Sequence, residues 1–273
     1  MKHLLPDYVY TPQGLQANMI VSISDDGRIT SISQQNVEAQ FIAPSDILSL
    51  HGVALLPGFV NTHSHVFQRA LRGHTHRPLS KQDTFWTWRR AMYAEAQKLN
   101  PDLLYTNALM TYREMLAAGY TSVGEFHYVH HQLNGQPYAD PNVMSEAIIQ
   151  AGKEVGIRVV LLMTAYAQSG FNQPPEEEQR RFCDASIDAY LDRVEALRLK
   201  GGSIGVAPHS VRAVPEEWFR VIVEYSRIHQ LPLHVHADEQ KAEIEQCLTI
   251  HGCTPIELLE HFGALGTLTT IVH

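Results

Sequence analysis

Two histidines two residues apart close an apolar run: Val53-Ala-Leu-Leu-Pro-Gly-Phe-Val60 leads into Asn61-Thr-His63-Ser-His65. On a strand, residues i and i+2 point to one face, so His63 and His65 can offer two imidazoles to one metal ion from one strand end. Alone, such a pair is more often two polar loop residues. A second stretch far downstream adds weight, Leu231-Pro-Leu-His-Val-His236-Ala-Asp-Glu239-Gln240, another apolar strand ending in histidine and then a carboxylate. Three histidines from two strand ends, with room for a carboxylate and a water, make an open hydrolytic metal site. Nitrogen and oxygen ligands suit one divalent ion, Zn2+ first, with iron(II) or manganese compatible by ligand type. Glu239 follows His236 by three residues and falls just past the strand end. There it could move a proton from the attacking water to a leaving nitrogen. The plainer explanation is a carboxylate favoured near a helix N-terminus.

These residues need a scaffold that gathers strand ends. Residues 1–55 read differently from the rest. Ile20-Val-Ser-Ile-Ser-Asp-Asp-Gly27-Arg-Ile-Thr-Ser-Ile32 alternates around an Asp-Gly turn, as a hairpin does, and residues 1–55 are expected to form part of a small β-sandwich domain. From residue 56 to 273 the pattern is strand then helix, repeated. Strands are expected at 53–62, 120–127, 157–163, 203–209, 231–237 and 268–273. Helices are expected from Asn100-Pro101 to Gly119, over 86–99, and at 142–155, 176–199, 215–229 and 239–250, with Gly156, Gly201 and Gly252 as stops. In the helix after Asn100, the residues Leu103, Leu104, Ala108, Tyr112, Met115 and Leu116 are expected on one face. Alternating β and α predicts a parallel sheet. The strand ends carry His63/His65, His127, His209, His236 and His273, which favours a barrel with its site at the C-terminal ends of the strands. An open doubly wound sheet would show a glycine-rich phosphate loop, and no G-x-G-x-x-G or Walker sequence occurs.

Composition narrows the function classes. Of 273 residues, 44% are hydrophobic and 18% charged, as in a globular enzyme. A net charge of −8 without a basic stripe argues against nucleic acid as a partner. No apolar run reaches the roughly 20 residues that span a bilayer, so no membrane partner is expected. The N-terminus lacks the pattern of a signal peptide, and Cys183, Cys247 and Cys253 are odd in number without C-x-x-C spacing. Both features fit a cytoplasmic protein with reduced cysteines.

The Pro57-Gly58…His63-Ser-His65 strand, the later His236-Ala-Asp-Glu239 and the small N-terminal β unit resemble the amidohydrolase superfamily. Within it, the chain resembles the formimidoylglutamate deiminase family. That narrower likeness is carried by His63-Ser-His65-Val-Phe-Gln68, Asp83-Thr-Phe-Trp-Thr-Trp-Arg89, Glu114-Met-Leu-Ala-Ala-Gly-Tyr-Thr, Glu125-Phe-His-Tyr128-Val-His-His131, Gln179-Arg-Arg-Phe182, His209-Ser-Val-Arg212 and Ala237-Asp-Glu-Gln240. The resemblance implies hydrolysis of the amidine of N-formimidoyl-L-glutamate, giving N-formyl-L-glutamate and ammonia in histidine degradation. Its substrate carries two carboxylates, and Arg89 and Arg212 could each clamp one in fork geometry. Gln68 and Tyr128 could add hydrogen bonds, while His209 and His273 could touch the amidine or the water. Each has a plainer explanation: Arg89 as a solvated helix arginine, Tyr128 as loop packing, Trp86 and Trp88 as lid or packing aromatics. His127, His130 and His131 are expected to lie behind the ligands.

The resemblance also implies an eight-stranded (β/α)8 barrel of the TIM type, a homodimer, and an aspartate metal ligand on a later strand. Six strands are legible, so an incomplete barrel is expected, and residues 1–273 by themselves are expected to be inactive. Two other functions compete. One is an aminohydrolase of the same superfamily acting on a guanine- or cytosine-like ring, for which two cationic clamps would have no purpose. The other is a non-catalytic scaffold.

Overall fold

The computed structural model describes residues 1–35, 46–75 and 85–273, the side chains of Phe85 and Trp86 excepted. Asp83, Thr84 and the side chain of Trp86, named above, lie outside the described residues. The chain forms two compact units, Met1–Gly58 and Phe59–His273.

In the first unit, β1 (Lys2–Thr11), β2 (Gly14–Ala17), β3 (Met19–Ile23), β4 (Ile29–Gln34) and β5 (Ile47–Leu55) form one sheet of order β2-β1-β3-β4, with β5 parallel to β1. The β3–β4 hairpin turns at Ser24–Arg28, where Gly27 takes φ +81°, a conformation glycine adopts at no steric cost. Val9, Met19 and Val21 are buried together on this sheet.

The second unit alternates strand and helix. Its strands are β6 (Phe59–Ser64), β7 (Tyr120–His127), β8 (Arg158–Ala165), β9 (Ile204–Pro208), β10 (Leu233–His236) and β11 (Thr269–Val272). They pair in parallel in chain order. The helices are α1 (Phe85–Lys98), α2 (Pro101–Ala117), α3 (Val143–Val155), α4 (Ile187–Leu199), α5 (Glu216–His229), α6 (Lys241–His251) and α7 (Pro255–His261). Three strands separate β6 from β10, yet their histidines meet at 3.1 Å. Only a sheet curled around an axis allows that, and the fold is an α/β, nearly closed barrel of six strands among the described residues.

Local chemistry explains most boundaries. Asn100 caps α2 by accepting from the Leu103 N–H at 2.8 Å, and Pro101 opens its first turn. Gly156 and Gly252 end α3 and α6 in the left-handed region. Gly124 permits a close approach: a Cβ there would stand 2.7 Å from the Thr62 carbonyl, just before His63.

Three expectations need correction. The strand expected at 53–62 is two: β5 ends at Leu55, β6 begins at Phe59, and Pro57 between them has no N–H for a ladder. The helix expected over 176–199 is a 310 turn, Glu177–Phe182, then a break, then α4, because Ser186 caps the Ala189 N–H at 3.1 Å and starts a new helix. On α2, Leu104, Ala108 and Tyr112 are buried, but Leu103 and Leu116 are exposed. The buried stripe follows i, i+4, i+8, and those two leucines fall outside it.

Candidate active site

The 310 turn Val66–Leu71 follows β6 directly, and Glu125 on β7 anchors it by accepting the Val66 N–H at 2.7 Å. That contact fixes the chain where His65 leaves the strand. The His65 ring is set by its Nδ1, 2.8 Å from the Phe126 carbonyl. On β10, the His236 Nδ1 lies 3.3 Å from the His209 carbonyl. A carbonyl only accepts, so both Nδ1 atoms donate, and in the neutral ring both Nε2 atoms carry lone pairs.

Those lone pairs converge. The Nε2 of His63 is 3.0 Å from that of His65 and 3.1 Å from that of His236. Two nitrogens each about 2.0–2.1 Å from one ion stand about 2.9–3.4 Å apart at ordinary coordination angles. The three rings therefore fit a single cation. Burial pushes the imidazoles down, His63 to about 4, His65 to about 3 and His236 well below its usual value, so all three are neutral near pH 7. Neutral rings with lone pairs aimed at one point are what a metal requires.

A cavity of about 240 Å³ opens over these rings. All ten residues singled out from sequence border it: His63, His65 and His236; Glu239 and His273; Gln68, Arg89, Tyr128, His209 and Arg212. His273 stacks on His236 with ring centroids 5.1 Å apart. Burial holds His209 well below its usual pKa, with Arg212 acting in the same direction. Gln68 donates to the Tyr128 hydroxyl at 3.2 Å. Arg89, on α1, donates through Nε to the Tyr93 hydroxyl at 2.6 Å. Arg212 lies between two carboxylates, 4.0 Å from Glu239 and 3.5 Å from Glu243. Burial raises Glu243 to about 7 against the opposing pull of Arg212.

His127 is the strand-end histidine that does not reach the pocket. Phe126 points inward, its ring 4.2 Å from that of His236, so its neighbour on the strand points out. His127 stacks edge-on with His130, and His131 bonds Asp184, which Arg193 grips through two contacts of 2.8 and 2.7 Å. This buried group braces the outer face of the strands.

Sequence reasoning passed over four residues that line the pocket: Trp88 (noted only as a packing aromatic), Met92, Tyr93 and Tyr166. A signal existed for each of them. Trp88/Met92 and Arg89/Tyr93 are i, i+4 pairs, so choosing Arg89 selects the whole face of α1. Tyr166 stands one residue beyond β8, where strand-end logic applies.

The fold and the convergent histidines define a class, parallel α/β barrels that set a metal-ligand cluster at the strand C-termini. The sequence profile of the amidohydrolase family matches residues 54–273, and the chain belongs to that family. It is 37% identical to formimidoylglutamate deiminase of Pseudomonas aeruginosa, over all of this chain and 59% of that protein. It is 29% identical to 8-oxoguanine deaminase of the same organism, over 98% of this chain and 58% of that protein. The chain thus spans less than two thirds of the curated relatives it matches. Among solved structures, an amidohydrolase from Brucella melitensis superposes with a TM-score of 0.90 at 32% identity, covering all of this chain and 60% of that one. An adenosine deaminase from Xanthomonas campestris with bound zinc gives a TM-score of 0.78 at 19% identity, a likeness of fold, over 99% of this chain and 57% of that one.

Proposed function

We propose that this chain carries the metal- and substrate-binding side of a hydrolase that converts N-formimidoyl-L-glutamate to N-formyl-L-glutamate and ammonia, in histidine degradation in the cytoplasm. The observation that supports it best is the presence of two arginines, Arg89 and Arg212, on the walls of the cavity that holds the three histidines. A dicarboxylate needs two cationic clamps; a neutral purine or pyrimidine does not. The likeness to formimidoylglutamate deiminase points the same way. Among the described residues, no helix is long and apolar enough to cross a membrane.

His63, His65 and His236 would hold one divalent ion, with zinc as the first candidate. Such an ion supplies Lewis-acid polarisation of the groups around it. Glu239 is the one carboxylate among the described residues lining the cavity. It takes a proton from the attacking water and delivers it to the leaving nitrogen. The water oxygen bonds to the amidine carbon, its second proton passes to the same nitrogen as the carbonyl forms, the carbon–nitrogen bond breaks, and ammonia departs. His209 and His273 present ring nitrogens beside the reacting carbon, and Gln68 and Tyr128 hydrogen-bond the substrate. The functional unit we expect is a homodimer. Among the described residues the convergent cluster is three histidines without the aspartate ligand that the family resemblance implies, and we expect residues 1–273 by themselves to release no ammonia.

The deciding experiment measures ammonia released by the metal-loaded full-length protein from formimidoylglutamate, guanine and cytosine, with residues 1–273 assayed alongside. Turnover of formimidoylglutamate alone supports the assignment. Turnover of a ring substrate in its place overturns it, and no turnover with metal bound favours the scaffold.

A further inference from the structure

Gln179 is wholly buried in the 310 turn Glu177–Phe182 and touches no reacting group, yet it fixes two side chains of the pocket wall. Its amide orientation follows from chemistry. The Glu176 backbone N–H donates to Oε1 at 2.9 Å, and a backbone N–H cannot accept. The Nε2 atom therefore faces the hydroxyls of Tyr93 and Tyr166, at 2.9 and 2.8 Å.

Proton accounting carries the consequence outward. A phenol oxygen has two lone pairs and one proton. The lone pairs of Tyr93 are filled by Gln179 and by Arg89 Nε at 2.6 Å, so Tyr93 must donate its own proton. Tyr166 accepts from the same Gln179 amide and cannot pass its proton back to Tyr93, whose lone pairs are both filled. Tyr166 also lines the cavity, so its proton is free to address the pocket.

We propose that Tyr166 and Arg89 form a subsite of hydrogen-bond donors for one substrate carboxylate, with Gln179 as the positioning residue that sets its polarity. This deepens the proposed function and rests on its reading of the substrate as a dicarboxylate. A wall of donors repels an amidine, itself a donor, and turns it toward Glu239, the carboxylate of the pocket. The subsite thus fixes which end of the substrate meets the histidines as well as how tightly it is held.

The test uses Tyr166→Phe and Gln179→Glu in the metal-loaded full-length protein. The first removes one proton. The second places acceptors where Gln179 had donors, so the phenol protons turn inward. KM for formimidoylglutamate should rise about 10- to 100-fold in Tyr166→Phe, and at least as much in Gln179→Glu, while kcat falls far less. Unchanged KM in both variants overturns the proposal, as does a loss confined to kcat. If Gln179→Glu loses its cooperative melt, Tyr166→Phe decides alone. Calorimetric binding of glutarate against butyrate separates this inference from the function it rests on. Suppose the wild type releases no ammonia from formimidoylglutamate but prefers glutarate, and Tyr166→Phe erases that preference: the substrate assignment then falls and the subsite stands. A wild type that binds butyrate as tightly as glutarate overturns the subsite.

Discussion

The two ends of the parallel sheet hold cavities of different size and different content. At the C-terminal ends, about 240 Å³ is bounded by five histidines, two arginines and one glutamate. At the N-terminal ends of β8 and β9, about 660 Å³ opens among α2, α3 and α4. The larger space holds no histidine; two of its charges, Lys200 and Glu146, pair with each other at the surface, and its Tyr105 bonds Glu154. Volume is therefore a poor guide to chemistry in this molecule. What distinguishes the small cavity is that buried lone pairs and cationic forks point into one space, which parallel strands accomplish at their C-terminal ends.

The largest effect that would sharpen the contrast is loss of the metal. His236→Ala should reduce bound divalent ion from about one equivalent to a trace and abolish turnover, since two of the three described ligands cannot close the site. Full metal content in that variant would mean the three rings do not share an ion. Acid should act on the same group. In metal-stripped protein the folded His63 and His65 take up protons only near 4 and 3, whereas the unfolded chain does so near 6.5. The unfolded state binds more protons in that interval, so the stability these two histidines contribute is full above about pH 6.5 and is lost as pH falls through it. Glu125 runs the other way. Burial raises it to about 8, so the folded chain keeps a proton the unfolded chain releases, and stability falls as pH climbs from about 4.5 to 8. Glu125→Gln should flatten that alkaline limb in urea titrations, and an unchanged limb would show that Glu125 is not its source.

Next in size is Glu239→Gln. It keeps shape and hydrogen bonding but removes the basic oxygen, so turnover should fall about 10²- to 10⁴-fold with metal content unchanged. Near-normal turnover would remove the proton-transfer role. Arg89→Met and Arg212→Met should each raise KM about 10- to 100-fold, the loss expected for a charge-assisted hydrogen bond. The two need not be equal, because Arg212 stands between Glu239 and Glu243, whereas Arg89 rests against Tyr93.

Much of this contrast was legible in the sequence, and the gaps have physical causes. Histidines at strand ends are visible because the period of 2 and the flanking apolar runs say where a strand stops, and β7 was placed at Tyr120–His127 to the residue. Arginines near those ends could be named, but only the family resemblance made them substrate clamps. Gln179 and Tyr93 could not be connected by pattern at all, since their hydrogen bond joins residues 86 apart in the chain. His127 was legible for a different reason. It ends a strand as the other histidines do, but one residue of alternation turns it from the pocket to the outer face, behind the ligands as expected. The fused strand at 53–62 was not legible: an apolar run reads as continuous, and only the missing N–H of Pro57 divides it between two sheets.

The smallest effect belongs to the other end of the sheet, and it tests the comparison most directly. If the large cavity is only a gap between helices, Lys153→Ala and Lys200→Ala should leave kcat and KM unchanged. Lys200 and Glu146 are both exposed, so their attraction is screened by water and salt, and the side-chain entropy lost in pairing offsets most of what remains. The melting temperature should move by no more than about 2 °C for either variant. A change in KM from either substitution would mean that the two ends communicate through the strands, and the division between a chemical end and an inert end would have to be given up. An unchanged KM combined with a larger loss of stability would assign those lysines to holding α3 and α4 against the barrel, leaving that division intact.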